Sequence, residues 1–118
     1  HLPDEVVKTC ACVGGEQYLF RQMESLSQGL QEVKLPVVLT QEKKYHFGKL
    51  NVEHLEMYQC LLGETNIEFD LLYDPIGWKV LLGKASKLNG EIIYVHCGGV
   101  SGNETMLSRY NYALKGII

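Results

Sequence analysis

No run in this chain approaches the roughly 18–20 consecutive apolar residues that cross a bilayer. No secretory leader pattern opens it either. Positive charge is scarce: 11 Lys and Arg stand against 14 Asp and Glu, a net charge of −3. Nucleic-acid binding needs a basic face, which this balance does not supply. Membrane insertion and nucleic acid are therefore set aside, and a cytoplasmic protein is expected. Charged residues make up only 21 % of the chain and apolar ones 46 %, which excludes a disordered polyelectrolyte and suits a packed core. The chain opens on His1 and not on Met, which points to a processed chain or a piece of something longer.

Several chemical signatures are missing. There is no P-loop pattern and no dinucleotide fingerprint. There is no serine elbow and no His-Glu-x-x-His helix. The four cysteines, Cys10, Cys12, Cys60 and Cys97, include no pair with two residues between them. A disulfide framework is open to them, but buried reduced thiols are the expectation. Cys10 and Cys12 are two apart in a strand-like run and share a face. His96 and Cys97 are neighbours that point apart, so no metal centre is expected.

What is present is alternation. Val6 to Val13 reads as a strand, and Gly14-Gly15 turns it. Glu16 to Leu30 carries Tyr18, Leu19, Met23, Leu26 and Leu30 at helical spacing. Leu35 to Leu39 is a short strand with its proline near the start. Thr40 to Lys49 is a polar loop, and Lys43-Lys44 is its solvated part. Asn51 caps a helix that runs to about Leu62, with Val52, Leu55, Tyr58 and Leu62 on one side. Ile67 to Tyr73 reads as a strand. Asp74 and Pro75 then open a helix as N-cap and first residue, and it continues to Leu88. Glu91 to His96 is the fourth strand. Asn103, a good cap, opens a last helix to Lys115, with Leu107, Tyr110, Ala113 and Leu114 inward.

Strand and helix thus alternate four times, which predicts an α/β fold: a mostly parallel sheet covered on both faces, in three αβα layers. Residues 1–118 are one such domain or the C-terminal half of a larger one, with no repeat or interdomain linker. In open α/β sheets ligands bind beyond the carboxyl ends of strands. Two such ends stand out: His96-Cys97-Gly98-Gly99 and Tyr73-Asp74. Glycines let backbone come close to a ligand, and the helix start after them favours anions. Gly98 to Asn103 is accordingly a candidate anion loop. Gly14-Gly15 is the weaker candidate and reads as a plain turn. Cys97 is the candidate reactive thiol, set against a small structural one. Asp74 is a candidate general base that equally explains itself as a helix cap. Trp78 and the tyrosines Tyr45, Tyr58, Tyr94 and Tyr110 read as packing, whereas Tyr73 is the one best placed to face a site.

The run Thr9-Cys-Ala-Cys-Val-Gly14, then Phe69-Asp-Leu-Leu-Tyr-Asp-Pro75, then Ile93-Tyr-Val-His-Cys-Gly-Gly99 resembles the C-terminal part of the aminocyclopropane-carboxylate deaminase and D-cysteine desulfhydrase family. These are tryptophan synthase β-like enzymes of fold type II, dependent on pyridoxal phosphate. The resemblance implies that Cys97, Gly98 and Gly99 lie beside the cofactor ring, and that Tyr73, Asp74, Gly77 and Trp78 are a wall of the pocket. It implies a small amino acid as substrate, and deamination or elimination at its α and β carbons. The family's Tyr-Glu pair is replaced here, since the chain reads Asp74-Pro75-Ile76-Gly77-Trp78. The Schiff-base lysine and the phosphate loop lie upstream in the family, so no catalytic residue is assigned in this chain and it is expected to be inactive alone. Its partner would be a complementary N-terminal half or a second copy. The rival expectation is an interaction module that kept the fold and lost the chemistry.

Overall fold

The structure is a computed structural model that describes residues 7–12, 14–41, 43–46 and 48–115. The polar start at Asp4-Glu5 and the ends of the Val6–Val13 run lie outside the described residues. The protein is α/β: among the described residues there are a two-stranded parallel sheet and four α-helices. The chain divides into two compact units, residues 1–46 and 47–118.

The first unit is a β–α–β arrangement. β1 (Lys8–Cys10) is followed by α1 (Glu16–Ser27) and β2 (Val37–Leu39). The strands pair in parallel, Lys8 with Val37, Thr9 with Val38 and Cys10 with Leu39. The turn into α1 is made by Gly14 and Gly15 at φ +81 and +86, a region that a side chain would strain. Gln41 ties the loop after β2 back to this turn: its N–H donates to Glu16 Oε1 at 2.9 Å, and its amide donates to the Ala11 carbonyl. Packing here is thin. Ala11 is the only described residue of the unit that is buried. The stripe expected on α1 is largely in solvent. Tyr18, Leu26 and Leu30 are exposed, while Leu19 and Met23 are half-buried.

The second unit holds the core. α2 (Val52–Thr65) starts as expected, with Asn51 Oδ1 accepting from Glu53 N–H at 2.9 Å, and it ends on Asn66 in the left-handed region. Its inward face is His54, Leu55, Tyr58 and Leu61, whereas Val52 and Leu62 are exposed. α3 (Asp74–Lys84) continues into a short tighter turn at Ala85–Lys87. α4 (Asn103–Ala113) follows a similar turn at Val100–Gly102. Leu55, Tyr58, Leu71, Met106 and Tyr110 form the buried cluster, with Leu50, Leu72, Leu107 and Leu114 packed against it. Ala113, expected inward, is exposed. The Tyr110 hydroxyl donates to the Asn51 carbonyl and accepts from Asn51 N–H, which locks the start of α2 to α4.

The expected strands 67–73 and 91–96 belong to no ladder. The backbone of the first is met by side chains instead. Leu71 N–H donates to Asn103 Oδ1, and the Asn103 amide donates to the Phe69 carbonyl. Tyr73 N–H donates to Asp70 Oδ2, and Asp70 N–H to Asp74 Oδ2. A buried backbone must find partners, and where no neighbouring strand supplies them polar side chains do.

Candidate functional site

Of the residues picked out at the two expected strand ends, His96 and Asp74 meet one aromatic group in the second unit, His96 by stacking and Asp74 through Tyr94. Phe69, buried, lies edge-on to Trp78 at 5.5 Å and to Tyr94 at 5.7 Å. Trp78 and Tyr94 stack at 4.4 Å, and His96 stacks on Phe69 at 4.8 Å. The three pairs made by Phe69 sit in the separation range that aromatic quadrupoles favour, and the Trp78–Tyr94 stack is slightly closer than its near edge. The Tyr94 hydroxyl donates to Asp74 Oδ1 at 2.5 Å. Gly77 is small for a local reason: a Cβ there would stand 3.1 Å from that hydroxyl.

Asp74 therefore does not cap α3, as its position next to Pro75 suggested. It is the first residue of the helix, and its carboxylate holds Asp70 N–H and Tyr94. Asp70 carries the reciprocal contact to Tyr73 N–H, so two carboxylates bracket the turn in the manner of a capping box shifted outward. Tyr73 is exposed at the start of the helix. Asn103 does not cap α4 either. It is 2 % exposed and spends its amide on Phe69, Leu71 and Glu68.

His96 is held from both ring nitrogens. Nδ1 accepts from Gly98 N–H at 2.9 Å, so the neutral ring carries its proton on Nε2 and donates to the Glu68 carbonyl at 2.8 Å. With both nitrogens engaged, His96 does not act as a base toward Cys97. The Cys97 thiol is exposed, and its hydrogen bond is a long one to the Val95 carbonyl. Gly98 and Gly99 turn at φ +80 and +77, and a Cβ at either would meet open space. Five residues separate Cys97 from the first residue of α4, so the helix start does not abut the thiol.

Glu68 accepts from the Tyr58 hydroxyl at 2.8 Å and from the Asn103 amide at 3.1 Å. Those bonds, Asn103 first, hold its carboxyl below the usual range. Tyr58 moves the other way. Burial, then the bond to Glu68 and its charge, push its hydroxyl up to about 12.

The first unit carries an open cleft of about 410 Å³ that the sequence reading passed over as a plain turn and a solvated loop. Gly14, Gly15, Cys12, Arg21, Lys43 and Lys44 are among its walls. It lies beyond the carboxyl ends of β1 and β2, where α/β sheets place their ligands. The signal was present in the spacing, a glycine pair after one strand and a lysine pair after the next. All four cysteines are free thiols, Cys10 and Cys12 half-buried and Cys60 and Cys97 exposed, which corrects the expectation of buried thiols. No cluster of metal-ligating side chains occurs among the described residues. Nor is any helix among them long and apolar enough to cross a membrane.

Two observations bear on pyridoxal phosphate. The open space at Gly98 and Gly99 leaves room for a flat ring to approach. The Trp78 indole N–H is buried and meets no acceptor among the described residues, a donor that a group bound beside it would meet. No protein-family model matches the chain, and no curated protein matches it.

Proposed function

We propose that the chain is the C-terminal part of a pyridoxal-phosphate-dependent enzyme of deaminase or desulfhydrase type. In this reading it belongs to a three-layer fold type II architecture, works in the cytoplasm on a small amino acid, and is inactive without a complementary N-terminal half. The observation that carries the larger-fold part is the state of the β–α–β unit. Parallel sheets are stable when both faces are covered. Here two three-residue strands pair, no residue of α1 is fully buried, and Val7 and Val37 are 66 % and 45 % exposed. A two-stranded sheet of this size is marginal by itself. Ile93 and Val95, in the run that reads as a further strand, are 72 % and 75 % exposed. Aliphatic strands without a sheet are what one part of a divided sheet leaves behind. The cofactor itself rests on the resemblance of the three motif runs.

When bound, pyridoxal phosphate supplies an electron sink for bonds at the substrate's α-carbon. In this chain Cys97, Gly98 and Gly99 would bound one side of the ring, with Trp78 offering its N–H. Asp74 is committed to Tyr94 and Asp70, so its role is to hold the wall and not to move a proton. The test is native purification from the source with borohydride reduction, followed by intact mass of every associated chain. Recovery of a second chain carrying a pyridoxyl-lysine supports the reading, and Cys97→Ser should then shift the cofactor's absorbance. Recovery of the chain alone, or with itself, overturns it.

One observation favours the rival, a non-catalytic interaction module. Where the family places its Tyr-Glu pair, this chain has Gly77 and Trp78, and the space is filled by Tyr94 stacked on Trp78. In that case the exposed aliphatic side chains are a binding face, and the chain is recovered without cofactor.

A further inference from the structure

His96 and Gly98 stand two apart in sequence, the spacing at which a short side-chain acceptor reaches the N–H two residues on, as in an Asx turn. Here the acceptor is a ring nitrogen. Nδ1 lies 2.9 Å from Gly98 N, and a backbone N–H only donates, so Nδ1 carries a lone pair. Nε2 lies 2.8 Å from the Glu68 carbonyl, which only accepts, so the single ring proton is there. The ring also stacks on Phe69 at 4.8 Å. These contacts suit one protonation state, the neutral Nε2–H imidazole. In the imidazolium both nitrogens donate. Nδ1–H would then face Gly98 N–H, and that hydrogen bond is lost. The bond from Nε2 to Glu68 becomes charge-assisted and stronger instead. The ring therefore stays with Glu68 and Phe69, and the turn is what gives way. Gly98 and Gly99 are free to move, since a Cβ at either would meet open space and glycine crosses between backbone regions at little cost.

We propose that His96 is a proton-operated latch on the Cys97-Gly98-Gly99 turn. Neutral, it holds Gly98 N–H and fixes the turn. Protonated, it keeps Glu68 and lets the turn go. Histidine changes charge between about pH 5 and 8, so the latch opens on mild acidification. The titratable groups on the elements around the ring do not take over its role. Glu68, held below the usual carboxyl range by its bonds to Asn103 and Tyr58, is charged throughout. Tyr58, pushed up by burial and by Glu68, is neutral throughout. Asp70 is engaged by Tyr73 N–H, and Asp74 by Tyr94 and Asp70 N–H. Glu104, next to Asn103 on α4, is exposed, and the Cys97 thiol donates to the Val95 carbonyl. Among the described residues no carboxylate forms an ion pair with His96 that would hold an imidazolium in the latched position. The latch is built from this chain's own residues and is independent of whether the turn borders a cofactor.

The experiment follows the full, isotopically labelled chain by NMR across about pH 5–8. Ring nitrogen shifts report the tautomer and titration of His96, assigned by their absence from His96→Asn. Amide exchange, taken as protection relative to an unstructured chain at the same pH, reports Gly98. At the neutral end the ring should be the Nε2–H tautomer. As it takes up its second proton, Gly98 protection should fall by about fivefold, the worth of one hydrogen bond, with the same midpoint. Leu71 N–H, held by the buried Asn103, should keep its protection, which separates release of the turn from acid unfolding. In His96→Asn the side-chain oxygen can still accept from the N–H two residues on but does not titrate, so Gly98 protection should not change with pH. An Nδ1–H tautomer at neutral pH, a Gly98 protection that ignores the ring's titration, or an acid-induced fall that survives in His96→Asn would overturn the latch. A loss at Leu71 in step with Gly98 would make the event unfolding and overturn it as well.

Discussion

Asn103→Ala is the sharpest test of how the second unit is held together. Asn103 stands at the start of α4, where an ordinary capping side chain contributes about 1 kcal/mol. Its actual contacts are elsewhere. Oδ1 accepts from Leu71 N–H at 2.8 Å, and Nδ2 donates to the Phe69 carbonyl at 2.9 Å and to Glu68 Oε2 at 3.1 Å. Leu71 and Phe69 are 1 % and 5 % exposed, so water does not replace the lost partner. Each buried group left unmet costs about 1–3 kcal/mol. Glu68 is exposed and regains water, so it adds little. The expected loss is about 4 kcal/mol, a large share of a typical stability of about 5–15 kcal/mol. Urea unfolding followed by the single tryptophan, Trp78, measures it directly, since that ring packs on Phe69. With a slope of about 2 kcal/mol per molar, the midpoint should fall by about 2 M at unchanged slope. A fall of about 0.5 M or less would mean that Asn103 is only a cap, and the account of residues 67–73 as a side-chain-bracketed segment would fail.

Other outcomes follow from the same geometry. Tyr94→Phe removes a hydrogen bond to a carboxylate and keeps the stacking, and should cost about 1.5–3 kcal/mol by the same urea assay. Gly77→Ala crowds the Tyr94 hydroxyl at 3.1 Å and should destabilise by itself, yet stabilise by up to about 1 kcal/mol when Tyr94→Phe has already removed that oxygen. One of the seven tyrosines should ionise near 12 in a phenolate absorbance titration, and Glu68→Gln should bring it down toward the ordinary 10. An unfolded tyrosine loses its proton first, so this group favours the fold below pH 10, and that contribution is lost as pH rises toward 12. Glu68 acts with the opposite sense. Its lowered pKa gives a contribution present above the ordinary carboxyl range and lost as pH falls through the folded value, and Glu68→Gln should flatten the acid limb of a stability profile.

The helices were legible because their signals are local. Asn51 before an apolar stripe marked α2, Pro75 marked the start of α3, and the Gly14-Gly15 pair marked the turn into α1. The faces were less legible, because a stripe names its inward side only if a partner arrives. Leu26 and Leu30 have helical spacing and remain in solvent, whereas His54 and Leu61 are buried although Val52 and Leu62 looked better. Tyr94 was read as packing, and nothing in its own segment indicated that Asp74, twenty residues earlier, would take its hydroxyl.

The amino-acid order by itself determined where the chain is helical and where it must turn on glycine, and it offered four runs as strands without saying which would pair. Each depends on a few successive residues. Tertiary structure decided what became of the runs 67–73 and 91–96, because a ladder needs a neighbour and a β-branched run cannot supply its own. It turned Asn103 and Asp74 from helix caps into partners, with Asp70, of a segment without a sheet. It also set Cys12 in a cleft with Arg21, Lys43 and Lys44, since side chains far apart in order share an electrostatic surface only after the backbone has folded.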